Sequence, residues 1–334
     1  MSTAISITVK NEAQLLRPNL LYHQHVGVDR VYVFLDRSTD NTRETVQDLD
    51  FVEVTGSVSP EKYAHRPELR FMIEGYEKIF TARQGLNVVH AMEKAGTEGI
   101  DWIISIDADE LIYVCPRTRL KDHLRTFFDK IGRNTDAVVF STLEALQRNA
   151  DTANGFTEES LFIKPESILS RKICDPYKGA FKDITGVLGH RVGKSAVRTS
   201  VDAHPVNSHR FKGSDGKPLR TLNKGYVLHY YCYGFNDFLK KYTNFQDHPD
   251  EYLSGEFVGW QKRLWRDLVN DSDFSEEFLR EYYKKNIVPD QAAIERLLQQ
   301  KILGFFPRKK QIIRIDHVRK MFENLKQEPR APDA

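Results

Sequence analysis

The sequence predicts an α/β protein in which helices flank a mostly parallel sheet and a helical C-terminal region follows. Short β-rich segments alternate with helical patterns over the first 115 residues. Two of the β-rich segments are near-continuous apolar runs, which are typical of strands buried on both faces. From residue 235 onward helical patterns dominate. An alternation of strands and helices indicates parallel strands joined by right-handed crossovers.

The elements follow in order along the chain. In the first part, strands are predicted at 5–9, 30–35, 51–54 and 102–106, and helices at 15–27, 42–49, 69–80 and 82–95. In the second part, a strand is predicted at 137–140 and helices at 235–245, 256–270, 274–285 and 289–302, with short strands and loops between them.

The composition narrows the class of protein. A formal net charge of +2 argues against nucleic-acid partners, which usually require a strongly basic domain. Three widely spaced cysteines, Cys115, Cys174 and Cys232, form no disulfide framework, which favours a reducing compartment. The N-terminus does not resemble a signal peptide, and no run of eighteen apolar residues occurs. We therefore expect a cytoplasmic protein that does not span a membrane.

Polar segments begin where two of the apolar strands stop, at Asp36 and at Asp107. In parallel sheets, ligands bind at the carboxyl ends of the strands. Asp107, Asp109 and Glu110 place three carboxylates within four positions. Such hard oxygen ligands suit Mg²⁺ or Mn²⁺ held together with substrate phosphates. An acidic turn that only caps the next element is the alternative, but the position after a buried strand favours the metal.

Four short motifs occur in order over the first 110 residues. They are K-N-E at 10–12, Y-H at 22–23 before G-V-D at 27–29, D-x-S-x-D-x-T at 36–42, and D-x-D-E at 107–110. Together they resemble the amino-terminal half of family 2 glycosyltransferases, closest to the branch related to family 92. The resemblance implies a GT-A fold with a Rossmann-like sheet, a nucleoside-diphosphate sugar donor, and Mn²⁺ or Mg²⁺ as cofactor.

The resemblance also assigns residues to the donor. It makes Asp36 a contact of the donor base, Asp107 a contact of the ribose or the metal, and Asp109 a metal ligand. Arg83 lies where the wider family has an A-R-N that faces the donor pyrophosphate, although Gln84 replaces the Asn here. An ordinary surface arginine at a helix start is the alternative for Arg83.

Basic residues of the second half complete the predicted site. By the same resemblance, His229 is a late metal ligand and Lys194 contacts the donor. Arg198 and His209 are assigned to phosphates or acceptor. For His229, a histidine that fills a half-buried strand remains the alternative. The histidines are too scattered to predict a structural zinc site.

Inverting transfer needs a general base that removes the proton of the acceptor hydroxyl. Glu144 fits this role because it follows the strand predicted at 137–140, and Asp183 is the second candidate. Neither lies in a diagnostic motif, since the aromatic signature of the family after this strand is missing. The acceptor is left open as a glycan, a lipid-linked molecule or a small molecule.

The resemblance divides the chain into a GT-A catalytic domain and a C-terminal part. Residues 1–233 form the catalytic domain, with a nucleotide-sugar half at 1–115 and an acceptor half at 116–233, followed by a helical extension at 234–328 and a disordered tail at 329–334. Two other functions remain open. A metal-dependent nucleotidyltransferase is disfavoured because no glycine-rich loop follows the first strand. A catalytically silent carbohydrate-binding protein on the same fold is disfavoured by the intact carboxylate pair.

The segment 301–314 suggests a peripheral contact with the inner face of the membrane. It places Phe305 and Phe306 beside three consecutive basic residues. Residues 301–334 carry nine Lys and Arg against four Asp and Glu, so this part is +5 and the remainder is +2 − 5 = −3. Aromatic residues beside a basic cluster are typical of docking at anionic membranes. A basic segment packed on the catalytic domain is the alternative.

Overall fold

A computed structural model describes residues 1–114, 120–164, 170–185, 188–252, 255–299 and 312–327. Its strands are β1 Thr3–Val9, β2 Arg30–Leu35, β3 Val52–Gly56, β4 Trp102–Ile106, β5 Glu110–Tyr113, β6 Ala137–Ala145, β7 Leu161–Ile163, β8 Ser170–Asp175, β9 Ala180–Thr185, β10 Lys194–Arg198, β11 Ala203–Asn207, β12 Arg210–Gly213, β13 Thr221–His229 and β14 Ile312–Arg314. Its α-helices are α1 Leu16–Val26, α2 Arg70–Gly75, α3 Phe80–Thr97, α4 His123–Asp129, α5 Gly155–Glu158, α6 Phe235–Asn244, α7 Trp260–Asn270, α8 Glu276–Asn286, α9 Gln291–Gln299 and α10 His317–Gln327.

The central sheet is mixed. β1 pairs in parallel with β2 and with β4, and β2 pairs in parallel with β3, so the first four strands form a parallel unit in the order β3-β2-β1-β4. Beyond β4, the antiparallel β10 connects this unit to β6. β6 pairs in parallel with β13, and β13 carries β5 in antiparallel orientation. The predicted α/β class with helices flanking a sheet is confirmed, and the second half adds antiparallel strands.

Helices cover both faces of the parallel strands β1 and β4. All seven residues of β1 and all five of β4 are buried. On one face, Leu16 and Leu20 of α1 pack in the same cluster as Ile5 of β1. On the other face, Val88 of α3 packs in the cluster that contains Ala4. Successive residues of a strand point to opposite faces, so each helix covers alternate positions.

Two predicted elements differ in the structure. Residues 42–49 form turns and not a helix. The Asp40 carboxylate accepts a hydrogen bond from the Thr42 amide at 3.1 Å, and such local side-chain bonds compete with helix formation. The C-terminal part is not purely helical, because β14 joins the sheet by antiparallel pairing with β7.

Several predictions concern segments outside the described residues. These segments are Cys115, most of the basic segment (301–311) and the tail (329–334). Within the described ranges, no helix has both the length and the apolar character needed to cross a bilayer.

The topology brings strand ends to one edge of the sheet. Asp36 follows β2 and Asp107 follows β4, and both strands run parallel to β1. β10 runs in the opposite direction, so its first residue, Lys194, lies at this same edge. The last residue of β13, His229, is in register with Glu144 of β6 on one side and with Glu110 of β5 on the other. Side chains that are far apart in the sequence therefore meet at this edge.

Candidate active site

A tight turn between β4 and β5, residues 107–110, forms the carboxylate loop. The Glu110 amide donates to the Asp107 carbonyl at 3.1 Å, and the Asp107 amide donates to Glu110 Oε2 at 2.8 Å. From behind, the side-chain amide of Asn19 donates to the carbonyls of Ala108 at 2.9 Å and Glu110 at 2.7 Å. The buried Asn19 thus ties the loop to helix α1.

His23 lies one helical turn after Asn19 and extends the same network. Its Nε2 accepts the Ile112 amide at 3.2 Å, so its Nδ1 carries the proton and donates to Asn19 Oδ1 at 2.8 Å. Tyr22 donates its hydroxyl to the Ile112 carbonyl at 2.9 Å. Burial lowers the pKa of His23 to about 3, which keeps the imidazole neutral. The Y-H motif carried no role in the sequence analysis; the four-residue spacing of Asn19 and His23 on one helix face was the available signal.

Lys194 neutralises one side of the carboxylate loop. Its fully buried ammonium lies 2.7 Å from Asp107 Oδ2 and 3.3 Å from Glu110 Oε2. Burial works to lower the pKa of Lys194, but Asp107 and Glu110 outweigh it and raise that pKa. Burial likewise works to raise the pKa of Asp107, and Lys194 outweighs it and lowers that pKa. Lys194 and Asp107 therefore form a charged pair, in which the ammonium is buried and the Asp107 side chain is 36% exposed.

Asp109 is held by a second set of cations. Its Oδ2 lies 2.8 Å from Lys241 Nζ of α6 and 3.5 Å from His229 Nε2. His229 Nδ1 donates to Glu144 Oε2 at 3.0 Å. Burial works to lower the pKa of His229, but Glu144 and Asp109 outweigh it and raise that pKa to about 10. An imidazolium flanked by two carboxylates therefore lies at the centre of the site.

His190 and His209 complete the cluster. His190 Nε2 lies 2.7 Å from Glu110 Oε1, and the His190 ring lies 4.6 Å from the rings of both His209 and His229. Burial, with His229 and Lys194, lowers the pKa of His190 well below its usual range. The sequence motifs predict no role for His190, and they predict Glu110 only as a third carboxylate of the loop. Their meeting depends on the pairing of β10 with β4, because His190 lies shortly before β10 and Glu110 shortly after β4, and short motifs do not report this pairing.

A separate ion pair lies at the end of β2. Arg83 donates from Nε and Nη2 to the two carboxylate oxygens of Asp36, at 2.7 and 3.0 Å, and Asp36 is only 1% exposed. The next residue, Gln84, donates to Asp107 Oδ1 at 2.6 Å. The start of α3 thus contacts two strand ends at once. Arg83 is buried and paired, so the surface-arginine alternative is wrong.

Two predicted site residues lie outside this cluster. Arg198 pairs with Trp102 at the opposite edge of the sheet, where its guanidinium lies 4.3 Å from the Trp102 ring centroid and donates to the Thr135 carbonyl. Asp183 is exposed on β9, in the hairpin with β8. The structure therefore brings together the other predicted residues but not these two.

The donor set at the edge fits a divalent cation. Carboxylate oxygens and imidazole nitrogens suit Mn²⁺, and carboxylates suit Mg²⁺. In the described part of the chain, ligand atoms of Glu110, His190 and His229 lie within 4.8 Å of one another, and Asp109 Oδ2 lies 3.5 Å from His229 Nε2. To act as a ligand, His229 must release its proton, as is usual when a metal binds.

Comparisons with known proteins identify relatives over most of the chain. Residues 4–257 match the family model described as Glycosyltransferase family 92. Two Arabidopsis thaliana proteins, named glycosyltransferase-like At2g41451 and glycosyltransferase-like At3g57200, are 25% and 26% identical over 90% of this chain. The matched regions span 69% and 61% of those two proteins.

Two solved structures also match this chain. TarS 1–349 of S. aureus matches with 13% identity and a TM-score of 0.35, over 90% of this chain and 76% of that one. Glucosyl-3-phosphoglycerate synthase from Mycobacterium tuberculosis, in complex with Mn²⁺, uridine diphosphate and phosphoglyceric acid, matches with 14% identity and a TM-score of 0.32. That match covers 75% of this chain and 80% of the synthase.

Proposed function

The chain belongs to glycosyltransferase family 92, and we propose that it transfers a sugar from a nucleoside-diphosphate sugar to an acceptor hydroxyl at the cluster around Asp109 and His229. The observation that carries this proposal is the buried sequence of contacts from Asp109 to His229 to Glu144, at the edge where the parallel strands end. Ligand sites in open α/β sheets lie at this edge.

The donor diphosphate would lie between the carboxylate loop and the cations around it. Arg83 and Lys241 are the cations best placed to meet its negative charge, because Arg83 is paired with Asp36 at the end of β2 and Lys241 lies at Asp109. The buried, bidentate position of Asp36 favours a role in holding Arg83 in place over direct contact with the base. This refines the role that the family resemblance gave to Asp36.

Asp109 and His229 would hold Mn²⁺ or Mg²⁺, with Glu110 and His190 as further ligands. A cation bound there supplies the charge that stabilises a leaving diphosphate. Glu144 orients His229 through the Nδ1 bond, the usual outer contact of a metal-binding histidine. Lys194 keeps Asp107 ionised, and Gln84 fixes its orientation.

We keep Glu144 as the general base of an inverting transfer. Its Oε2 is bonded to His229, whereas its Oε1 is buried and has no hydrogen-bond partner within the described ranges, so the acceptor must displace the cover of this oxygen to reach it. Oε1 would take the proton of the acceptor hydroxyl while the oxygen of that hydroxyl attacks the anomeric carbon of the sugar. The bond to the diphosphate then breaks, and the diphosphate leaves with the electron pair. The exposed position of Asp183 favours Glu144 over that second candidate.

A panel of nucleotide sugars tests the proposed function. We expect one or a few uridine- or guanosine-diphosphate sugars to stabilise the protein thermally and to be hydrolysed slowly when Mn²⁺ is present. Chelation with excess EDTA should abolish both effects, because the donor phosphates would lose their counter-charge. A panel without any stabilising donor, at millimolar concentrations and with Mn²⁺, would speak for a silent carbohydrate-binding protein.

A further inference from the structure

We propose that Lys241 is a displaceable counter-cation: it neutralises Asp109 in the metal-free protein, leaves that carboxylate when a divalent cation binds, and then contacts an anionic group of the donor. The inference rests on the proposed metal site. It adds a specific exchange, in which one side chain first pairs with a carboxylate of the protein and then contacts the bound donor.

The two lysines that contact the carboxylate loop differ in their freedom to move. The Lys194 side chain is 0% exposed and contacts two carboxylates, so leaving them would bury an unpaired charge. The Lys241 side chain is 36% exposed and contacts the single carboxylate of Asp109. An ammonium at the boundary of the solvent can move away from its partner at low cost. Lys241 is therefore the cation that can be exchanged.

The position of Asp109 requires such an exchange. Lys241 Nζ and His229 Nε2 both approach the same oxygen, Asp109 Oδ2. A divalent cation bound to this oxygen would repel an ammonium only 2.8 Å from it. His229 can release a proton and remain as a ligand, but a charged lysine cannot bind a metal. Lys241 must therefore move when the site is filled.

The movement can be confined to the side chain because α6 is anchored at its C-terminal end. Asn244 Nδ2 donates to the Lys10 carbonyl at 2.9 Å, and Asn11 Nδ2 donates to Asn244 Oδ1 at 3.1 Å. Lys240, next to Lys241, is bonded to Glu12 Oε2 at 2.6 Å. These contacts join the K-N-E motif to the helix, and they hold the backbone of Lys241 at a fixed distance from the carboxylate loop.

Beside Asp109, the Lys241 ammonium also contacts an aromatic ring. Lys241 Nζ lies 4.4 Å from the ring centroid of Tyr231, which favours a cation. Lys262 Nζ lies 5.7 Å from the same centroid and has no carboxylate within ion-pair distance in the parts of the chain that the structure describes. Once Lys241 has left Asp109, two ammonium groups near one ring would favour an anion between them. A diphosphate oxygen of the donor would meet this need.

Manganese binding without any nucleotide tests the exchange directly. We expect Lys241→Met to bind Mn²⁺ about tenfold or more tightly than the unmodified chain, because no cation then competes for Asp109. Lys241→Arg, which keeps the charge, should bind Mn²⁺ like the unmodified chain. Lys284→Met removes an exposed lysine of α8 and controls for the overall loss of charge. Isothermal titration of the full chain with MnCl₂ measures all four affinities.

A second titration follows the other half of the exchange. With saturating Mn²⁺, Lys241→Met should bind uridine or guanosine diphosphate about tenfold more weakly than the control variant, since one phosphate contact is lost. Equal or weaker Mn²⁺ affinity of Lys241→Met, in a protein that still binds Mn²⁺, would overturn the inference and leave the proposed function standing. If no variant binds Mn²⁺ with or without nucleotide, the metal site itself is refuted together with the exchange.

Discussion

The side-chain amide of Asn19, on the first helix, donates a 2.7 Å hydrogen bond to the carbonyl of Glu110 in the carboxylate loop. The same amide group reaches the Ala108 carbonyl, and its oxygen accepts the Nδ1 proton of His23. All hydrogen-bonding atoms of this amide are therefore used. Asn19 therefore fixes the backbone of the loop whose carboxylates carry the proposed chemistry, although it has no proposed contact with the sugar donor or the sugar acceptor.

The first prediction concerns this contact. Asn19→Ala leaves two buried carbonyls without a donor, so we expect the free energy of unfolding to fall by about 2–4 kcal/mol. Mn²⁺ affinity should fall as well, because the carboxylate loop loses its support. Chemical denaturation and titration calorimetry measure the two effects. Asn134→Ala, at an exposed asparagine, should change stability by less than about 0.5 kcal/mol.

The second prediction concerns pH. The pKa of His23 is about 3 in the folded protein because of burial, and about 6.5 in an unfolded chain. Between these values the unfolded chain binds a proton that the folded protein does not bind. The contribution of His23 to stability is thus complete above pH 6.5 and is lost as the pH falls, by up to about 1.4 kcal/mol per pH unit.

Denaturation of the unmodified chain and of His23→Gln between pH 7 and 5 checks this dependence. The variant should be less stable at pH 7 but should lose less stability on acidification, since glutamine does not titrate. Parallel curves for the two proteins would mean that His23 takes up its proton equally in both states.

The third prediction concerns the ion pair at the end of β2. Asp36→Ala removes the carboxylate that holds Arg83, so we expect nucleoside-diphosphate affinity to fall by roughly 1.5–3 kcal/mol. The matched control is Asp48→Ala, which breaks an exposed aspartate–arginine pair with Arg17. Titration with uridine and guanosine diphosphate measures both variants. An unchanged affinity in Asp36→Ala would mean that Asp36 has no role in nucleotide binding and only forms part of the turn after β2.

The fourth prediction concerns the base. Glu144→Gln keeps the shape of the side chain but cannot accept the acceptor proton, so we expect kcat to fall by about 10²–10⁴. The Mn²⁺ affinity should fall by about tenfold at most, because an amide oxygen can still accept the His229 bond. Steady-state kinetics, with an active donor identified by the nucleotide-sugar panel, measure kcat. Asp183→Asn should retain activity. If Asp183→Asn instead lost activity while Glu144→Gln kept full activity, Asp183 and not Glu144 would be the general base.

The sequence predicts the parts of the site that depend on local order. Asp36 and Asp107 could be placed at one sheet edge because each follows an apolar strand, and parallel strands end together. The contact of Lys241 with Asp109 could not be predicted, since it depends on how α6 docks on the K-N-E segment more than 220 residues earlier. The approach of His190 to Glu110 is equally non-local, as it requires the antiparallel pairing of β10, which follows His190, with β4, which precedes Glu110.

The helix predicted at 42–49 shows a different limit. Its residues have an acceptable helical pattern, but Asp40 bonds to the Thr42 amide, and Arg17 donates to the Thr45 carbonyl at 2.7 Å. The Arg17 contact occupies a carbonyl that a helix would need for the amide of Leu49. Helix propensity alone cannot predict this contact, because Arg17 belongs to a different helix, α1.

The central claim is that Asp109 and His229 form a metal-dependent sugar-transfer site. Its most direct test is donor turnover by Asp109→Asn, measured with the active nucleotide sugar at saturating Mn²⁺. We expect turnover to be lost while thermal denaturation still shows a folded protein, since a neutral amide is a poorer ligand for a hard cation. Full turnover in this variant, or in the unmodified chain with excess chelator, would show that transfer does not depend on a metal at Asp109.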